Sequence, residues 1–308
     1  MDDFAGLSEK RLCILHGEGM RRFEEAWTQG KAPEPVTGLS LLDIKHEIAL
    51  RLLESYRLCE RRCGVGTQSR LASEFLHLGE EPELIPSHTL FFCGCTFRCA
   101  YCQNWDFALD PRAGVPADPA ELAARIAAGC SQGSGNANFV GGNPDPHLHT
   151  ILDIIRRLGP DCAYLPMIWN SNMFMSAEAM ELTAGVMDVY LGDFRYGSDA
   201  CAESCSEVRD YFTPVSRNFI AAARHAEVML RHLVLPGHLD CCTGAIMRWV
   251  SENLPGVYFN LMFQYRPEYR AALSPGMDRR LSAEEKRAAL EAASSYGIQA
   301  SKGAAGSV

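Results

Sequence analysis

Short apolar runs recur through the middle of the chain, separated by amphipathic stretches. Runs at 89–93 (TLFFC), 136–140 (NANFV), 165–169 (LPMIW), 187–192 (MDVYLG), 228–235 (VMLRHLVL) and 257–263 (VYFNLMF) have the length and composition of buried strands. Helices are predicted between them. Asp118 can cap one, with Pro119 at its first position and Glu121 completing a capping box. Leu148, Ile151, Leu152 and Ile155 share one face at helical spacing. Ser176 caps a third helix, and residues 216–227 and 243–251 supply two more. Ser282 and Glu285 form a capping box before a last helix, which Gly297 can end.

Strands alternating with helices predict an α/β fold with a mostly parallel sheet. Six such units are too few for a closed eight-stranded barrel. They predict a partial (β/α)6 TIM barrel, with a doubly wound sheet as the weaker fit. Residues 1–85 read as a helical N-terminal extension. Within it, Leu42, Ile44, Ile48, Leu52 and Leu53 give a helix an apolar face as far as about Tyr56, and a polar, proline-rich passage runs on to Pro86. Residues 86–265 read as the core, and 266–308 as a C-terminal helix and a tail, SKGAAGSV, expected to fray. No internal repeat appears at solenoid periods.

Composition narrows the function. A chain of 308 residues can bury about 75% of its unfolded surface and needs no disulfide stapling. Its 29 basic and 38 acidic side chains leave a net charge of −9, which argues against nonspecific binding to nucleic acid or an anionic membrane. No apolar stretch is long enough for a spanning helix. The start, MDDFAGLSEK, lacks the basic and apolar regions of a signal peptide, so a cytoplasmic location is expected. Thirteen cysteines without an export signal point to metal, redox or catalytic chemistry rather than to disulfides, although some can be small buried apolar residues. No Gly-x-Gly-x-x-Gly follows the first strand, and neither a P-loop nor a Gly-x-Ser-x-Gly elbow occurs. Nicotinamide, nucleotide-triphosphate and serine-hydrolase readings lose their main support. Nucleic-acid recognition lacks a dense basic stripe.

The sharpest constellation directly follows the first core strand: Cys95-Thr-Phe-Arg-Cys99-Ala-Tyr-Cys102. Three thiolates at this spacing reach one soft-metal centre from a single loop. On a four-iron cubane they leave one iron open to an exogenous ligand. A structural zinc wants a fourth protein ligand, and Cys93, on the same strand face as Cys95, is a candidate. Cluster, zinc, and buried or redox cysteines all stay open on spacing alone.

The segment CGCTFRCAYCQN resembles the cysteine motif of radical S-adenosylmethionine (radical SAM) enzymes. Over most of 56–298 the chain resembles the branch related to pyruvate formate-lyase activating enzymes, through FVGGNPDPHLHTIL, PMIWNSNMFMS, VYLGDFRYG, LRHLVLPGH and FNLMFQYRPEYR. The resemblance implies a [4Fe-4S] cluster on Cys95, Cys99 and Cys102, its fourth iron chelated by the amino and carboxylate groups of SAM. One electron then cleaves SAM to methionine and a 5′-deoxyadenosyl radical, which abstracts a substrate hydrogen. A reducing donor such as flavodoxin or ferredoxin is implied as partner. Two substrate readings follow: activation of a glycyl-radical enzyme, or epimerisation or rearrangement of a small molecule. A non-enzymatic zinc-binding scaffold is the alternative of a different class.

The resemblance also assigns positions. Tyr101 falls near the adenine, and Asn104 matches an asparagine just past the last cysteine. Gly141, Gly142 and Asn143 stand for a Gly-Gly-Glu segment that holds the amino group of SAM, with the asparagine lacking the charge. Asn170, Ser171 and Asn172 look like a polar strand-end cluster near SAM. An aspartate that flanks a bound cation in some activating enzymes is Asn170 here, which argues against a cation site. Asp193 and Arg195 resemble an Asp-x-Lys element, with arginine in place of the lysine that meets the carboxylate of SAM. Arg231 and His232 lie in the strand resembling the SAM-binding one. Alternation lets at most one face the lumen, and His232 is the expected one. These positions fall at or near strand C-termini, where barrel sheets carry their sites. Outside the motif, Cys59, Cys63, Cys201 and Cys205 form a conceivable four-cysteine site. Cys241 or Cys242 is a candidate donor of a proton or hydrogen atom. Gln264, Tyr265 and Arg266 are candidates for the substrate opening.

Overall fold

Two serines begin the helices of the N-terminal segment in a computed structural model that describes residues 4, 6–79 and 81–299. Ser8 accepts from the Arg11 N–H and starts α1 (Glu9–Thr28); Ser40 does the same for Asp43 and starts α2 (Leu41–Glu54). There follow β1 (Arg70–His77), β2 (Ser87–Phe92), α3 (Trp105–Ala108), β3 (Val115–Pro116), α4 (Pro119–Ser131), β4 (Asn136–Gly141), α5 (Leu148–Arg156), β5 (Met167–Ser171), α6 (Ala177–Thr183), β6 (Val189–Asp193), α7 (Asp199–Ser206), α8 (Phe212–Ala222), β7 (Glu227–Leu233), α9 (Ala245–Asn253), β8 (Tyr258–Met262) and α10 (Ala283–Ser295). The SKGAAGSV tail lies outside the described residues.

The strands form one sheet in the order β3-β1-β2-β4-β5-β6-β7-β8. From β2 onward the neighbours are parallel and in chain order, with helices in the crossovers. That is the partial α/β barrel expected from the pattern. Phe92, Phe139, Trp169 and Tyr190 are fully buried in its core. Among the described residues no helix is long and apolar enough to cross a membrane.

Three local expectations change. β1 lies in the passage read as loop and pairs antiparallel with β2, with an irregularity between Leu71 and Ser73. Only Leu71 of its eight residues is buried, so it offers no continuous apolar run to read. Asp118 accepts from the Ala120 and Glu121 N–H groups, but Glu121 pairs with Arg125 instead of completing a capping box. α8 starts ahead of residue 216 because the Asp199 carboxylate accepts the Phe212 N–H at 2.7 Å. The Ser282–Glu285 capping box forms as read.

A buried charge-bearing group of α2 went unread. Lys45 of α2 has no exposed surface and donates to the Glu181 carbonyl at 3.2 Å, while its Nζ lies 3.1 Å from His16 Nε2. Burial lowers its pKa to about 7 and that of His16 to about 3. An unfolded lysine titrates near 10.4, so between about pH 7 and 10 the unfolded state binds more protons. Stability therefore rises with pH across that window. Lys45→Met should raise the free energy of unfolding more at pH 7 than at pH 10, the difference being on the order of 4 kcal/mol. Equal gains at both pH values in paired calorimetric scans would show that Lys45 is not the group responsible.

Candidate active site

β2 ends at Phe92, and residues 93–104 form the loop that carries the cysteine motif. Cys95, Cys99 and Cys102 all line a cavity of about 380 Å³ at the C-terminal edge of the parallel strands. Burial pushes the Cys95 thiol up to about 12 and the Cys102 thiol to about 11, with Cys99 adding to both. Hydrogen-bond donors nevertheless point at sulfur. The Phe97 N–H meets Cys95 Sγ at 3.3 Å, and the Ser206 hydroxyl meets Cys99 Sγ at 3.0 Å. Cys93 does not join them. The left-handed φ of +88° at Gly94 breaks the strand alternation, and Cys93 lies outside the cavity wall, in the field of Arg70, Asp110 and Asp106. The candidate fourth zinc ligand is therefore turned away.

The two glycines that end β4 admit no side chain. A Cβ at Gly141 would lie 2.2 Å from the Phe92 backbone N and O, and one at Gly142 would lie 2.2 Å from the Gly94 carbonyl oxygen. Both glycines line the cavity. Asn143 is buried beside them and is committed internally. Its Nδ2 donates to Thr96 Oγ1 at 3.3 Å, and its Oδ1 accepts the Asn172 N–H at 3.2 Å. Asn172 Nδ2 donates to the same Thr96 hydroxyl at 3.1 Å and lies 4.0 Å from Cys95 Sγ. Thr96, unread in the sequence, thus anchors the cysteine loop to β4 and β5.

Charge gathers on the opposite wall. Asp193, ending β6, bonds Arg195 Nη2 at 2.5 Å and Arg231 Nε at 2.8 Å. Arg231 also bonds Asn170 Oδ1 at 2.7 Å and stands 3.6 Å from Glu81. Burial opposes the charge on Arg195, but Asp193, Cys99, Tyr101 and Tyr196 together outweigh it and its pKa stands well above the usual guanidinium range. Arg195 Nε is buried without a hydrogen-bond partner, a donor held ready beside the thiols. Asn170 faces a guanidinium, so the protein itself supplies positive charge where a bound cation would sit. Ser171 turns back onto the Met173 N–H at 2.9 Å.

His232 corrects the expectation. It is wholly buried, donates from Nδ1 to the Phe194 carbonyl at 2.8 Å and accepts from the Thr243 hydroxyl at 2.9 Å. Arg231 lines the cavity and His232 does not. Alternation does allow only one of the pair inside. Arg231 takes that side because two carboxylates and an amide oxygen await it there.

Comparison with known proteins agrees with this geometry. The radical SAM superfamily model matches residues 89–250. An uncharacterised protein of Methanocaldococcus jannaschii is 41% identical over 97% of this chain and 91% of its own length. The chain belongs to the radical SAM superfamily. SuiB of Streptococcus suis is similar in structure. With its precursor peptide SuiA bound, it is 15% identical at a TM-score of 0.47 over 66% of this chain and 44% of its own. With S-adenosylmethionine bound, it is 13% identical at 0.47, over 66% and 45%. The chain spans under half the length of SuiB, and at this TM-score the likeness carries no argument.

A radical SAM enzyme uses a [4Fe-4S] cluster and S-adenosylmethionine, and needs an electron donor and a substrate. The residues present fit the cluster. Two buried thiols and one half-buried thiol share one cavity, and sulfur-directed donors suit the thiolate form, which a metal stabilises outright. They also lead to two residues not singled out in the sequence, Tyr196 and Ser206. The Tyr101 hydroxyl meets Tyr196 at 2.7 Å, Tyr196 bonds Ser206, and Ser206 donates to Cys99 Sγ. This chain joins β6, α7 and the cysteine loop across about a hundred residues of sequence, so no local pattern carries it. A donor on a ligand sulfur favours the reduced cluster. Ser206→Ala should lower the reduction potential by on the order of 40 mV, the equivalent of about 1 kcal/mol for one hydrogen bond. An unchanged potential in an anaerobic redox titration would place the Ser206 hydroxyl off the cluster sulfur.

Proposed function

We propose that the chain reductively cleaves S-adenosylmethionine at a [4Fe-4S] cluster held by Cys95, Cys99 and Cys102, and aims the product radical at a polypeptide backbone, as an activator of a glycyl-radical enzyme does. Together the bound cofactors supply a 5′-deoxyadenosyl radical through one-electron cleavage of the sulfonium. The chain's own residues bind, orient and shield. Gly141 and Gly142 line the cavity while letting the Phe92 and Gly94 backbone pack against them, and Arg195 and Arg231 offer positive charge to a carboxylate. Tyr101 presents its ring to the cavity, with its hydroxyl tied to Tyr196, and Asn104 lines the same wall. Asn143, Asn170, Ser171 and Asp193 act one step back by holding Thr96, Arg231, the Met173 backbone and Arg195.

The observation that carries the polypeptide reading is the outlet. Past Gln103, Phe263 and Gln264 the cavity adjoins a second one of about 360 Å³, walled by Tyr265, Arg266, Arg280, Leu281 and Lys286. Such a vestibule offers room for a chain loop beyond the cofactors. A small polar substrate is the second reading. It is favoured by an inner chamber of about 140 Å³ that holds Asn138, whose buried Oδ1 has no hydrogen-bond partner.

The test is anaerobic incubation with SAM, a low-potential reductant such as reduced flavodoxin or ferredoxin, and deuterated substrates. Transfer of deuterium from a glycine-labelled polypeptide into 5′-deoxyadenosine, with a glycyl radical in the electron paramagnetic resonance spectrum, supports activation. Transfer from small molecules alone moves the function to the second reading. No 5′-deoxyadenosine at all, from protein carrying its cluster, sinks both.

A further inference from the structure

A second group of metal-type ligands lies outside the cavity, and none of its members lines it. Cys201 of α7 meets His238, Cys241 and Cys242 of the segment after β7, and their donor atoms all lie within 4.8 Å of one another. The joint site imagined for Cys59, Cys63, Cys201 and Cys205 does not form among the described residues. Cys59 and Cys63 face each other at 3.8 Å, while Cys201 gathers with the other set. We propose that Cys201, His238, Cys241 and Cys242 bind one zinc ion.

The geometry points to a single ion. Tetrahedral zinc with bonds of about 2.3 Å to sulfur brings its donors to roughly 3.8 Å from one another. Cys241 Sγ already stands 3.4 Å from His238 Nδ1, and the other separations close by about an ångström or less. A four-iron cluster spreads its ligands over separate irons and suits a wider set. Three thiolates and an imidazole select a soft or borderline ion and exclude magnesium and calcium. Four protein donors also close the coordination sphere, as structural zinc requires.

The backbone is shaped to bring the donors together. Leu239–Gly244 forms a wide helical turn in which the His238 carbonyl accepts both the Cys242 N–H at 3.0 Å and, one residue further on, the Thr243 N–H at 3.2 Å. Adjacent Cys241 and Cys242 thereby both reach the group. Gly197 permits the approach of the segment before α7, because a Cβ there would lie 2.5 Å from the Cys241 carbonyl oxygen and 2.9 Å from Cys242 Cα. Ser198 caps α7, accepts the Cys201 N–H at 3.3 Å and so sets Cys201 in the first turn. His238 Nε2 faces Cys205 at 3.9 Å, leaving Nδ1 for the ion. Binding releases the three thiol protons to solvent. The ion would clamp one end of α7, and the other end carries Ser206 on Cys99 Sγ. The zinc site thus braces the cluster loop without entering the cavity.

The experiment is metal analysis of anaerobically purified protein. A variant with alanine at Cys95, Cys99 and Cys102 should lose its iron and keep about one zinc per chain. Cys201→Ser and Cys241→Ser should each drop zinc below about a tenth of an ion per chain while iron is kept. Cys241 is exposed, so its substitution leaves the fold intact where replacing buried Cys242 does not. Cobalt(II) added to zinc-stripped protein should give the intense visible absorption of a tetrahedral thiolate site. Three results overturn the proposal: no zinc retained by the triple-alanine variant after equilibration with zinc, iron in its place, or a mass loss of two hydrogens marking a disulfide among these cysteines.

Discussion

Alanine at Cys99 should reduce formation of 5′-deoxyadenosine from S-adenosylmethionine by at least about 10³-fold, equivalent to more than about 4 kcal/mol of barrier. Cys95→Ala and Cys102→Ala should do the same, because all three thiols line one cavity and, in the function proposed, each would hold a different corner of the cluster. Cys93→Ala is the contrasting case. It removes a neighbouring buried thiol that lies outside the cavity, so both iron content and product should stay near the parent's. The readouts are iron and sulfide per chain and chromatographic quantitation of the nucleoside. If Cys99→Ala retains both cluster and product while Cys93→Ala loses them, the ligand set is wrong.

Arg231→Met should destabilise the fold by about 3–5 kcal/mol, the usual result of removing one partner from a buried ionic group. Arg231 stands between Asp193 and Glu81 with its side chain 10% exposed, and Glu81 is 4% exposed. Two carboxylates would be left facing an apolar methionine. For a chain of 308 residues the loss is a fall of about 5–8 °C in melting temperature. Adding Glu81→Gln should recover part of it by removing one stranded charge. In the variant an unpartnered buried carboxylate takes up protons more readily folded than unfolded. The deficit should therefore be greatest at neutral pH and shrink as pH falls into the carboxylate range. A deficit that is small and independent of pH would mean that the four charged groups do not act as one network.

The cysteine loop shows why some of this site was legible beforehand. Cys95, Cys99 and Cys102 sit within eight consecutive residues, so the chain's covalent spacing nearly dictates that they converge. Gly141 and Gly142 were readable as points of close approach, and what approaches them in the fold is the chain's own Phe92 and Gly94 backbone. The charge cluster was only half legible. Asp193 and Arg195 are neighbours in sequence, but Glu81 enters from before β2 and Asn170 from β5, and only folding brings them to Arg231. That long-range placement is what overturned His232. Alternation limits the lumen to one of two adjacent side chains, and partners distant in sequence decide which.

By itself, then, the order of residues determined the parallel α/β core, most helix starts and the convergence of three thiols on one cavity. These depend on periodicity, caps and short spacings, which act within a few residues. Tertiary structure alone decided that β1 joins the sheet, that Cys93 turns from the cavity, that Tyr101, Tyr196 and Ser206 form one chain to Cys99, and that Cys201 meets Cys241. Each of those contacts links positions whose local patterns are silent about one another, and only the closing of the sheet brings them within bonding distance.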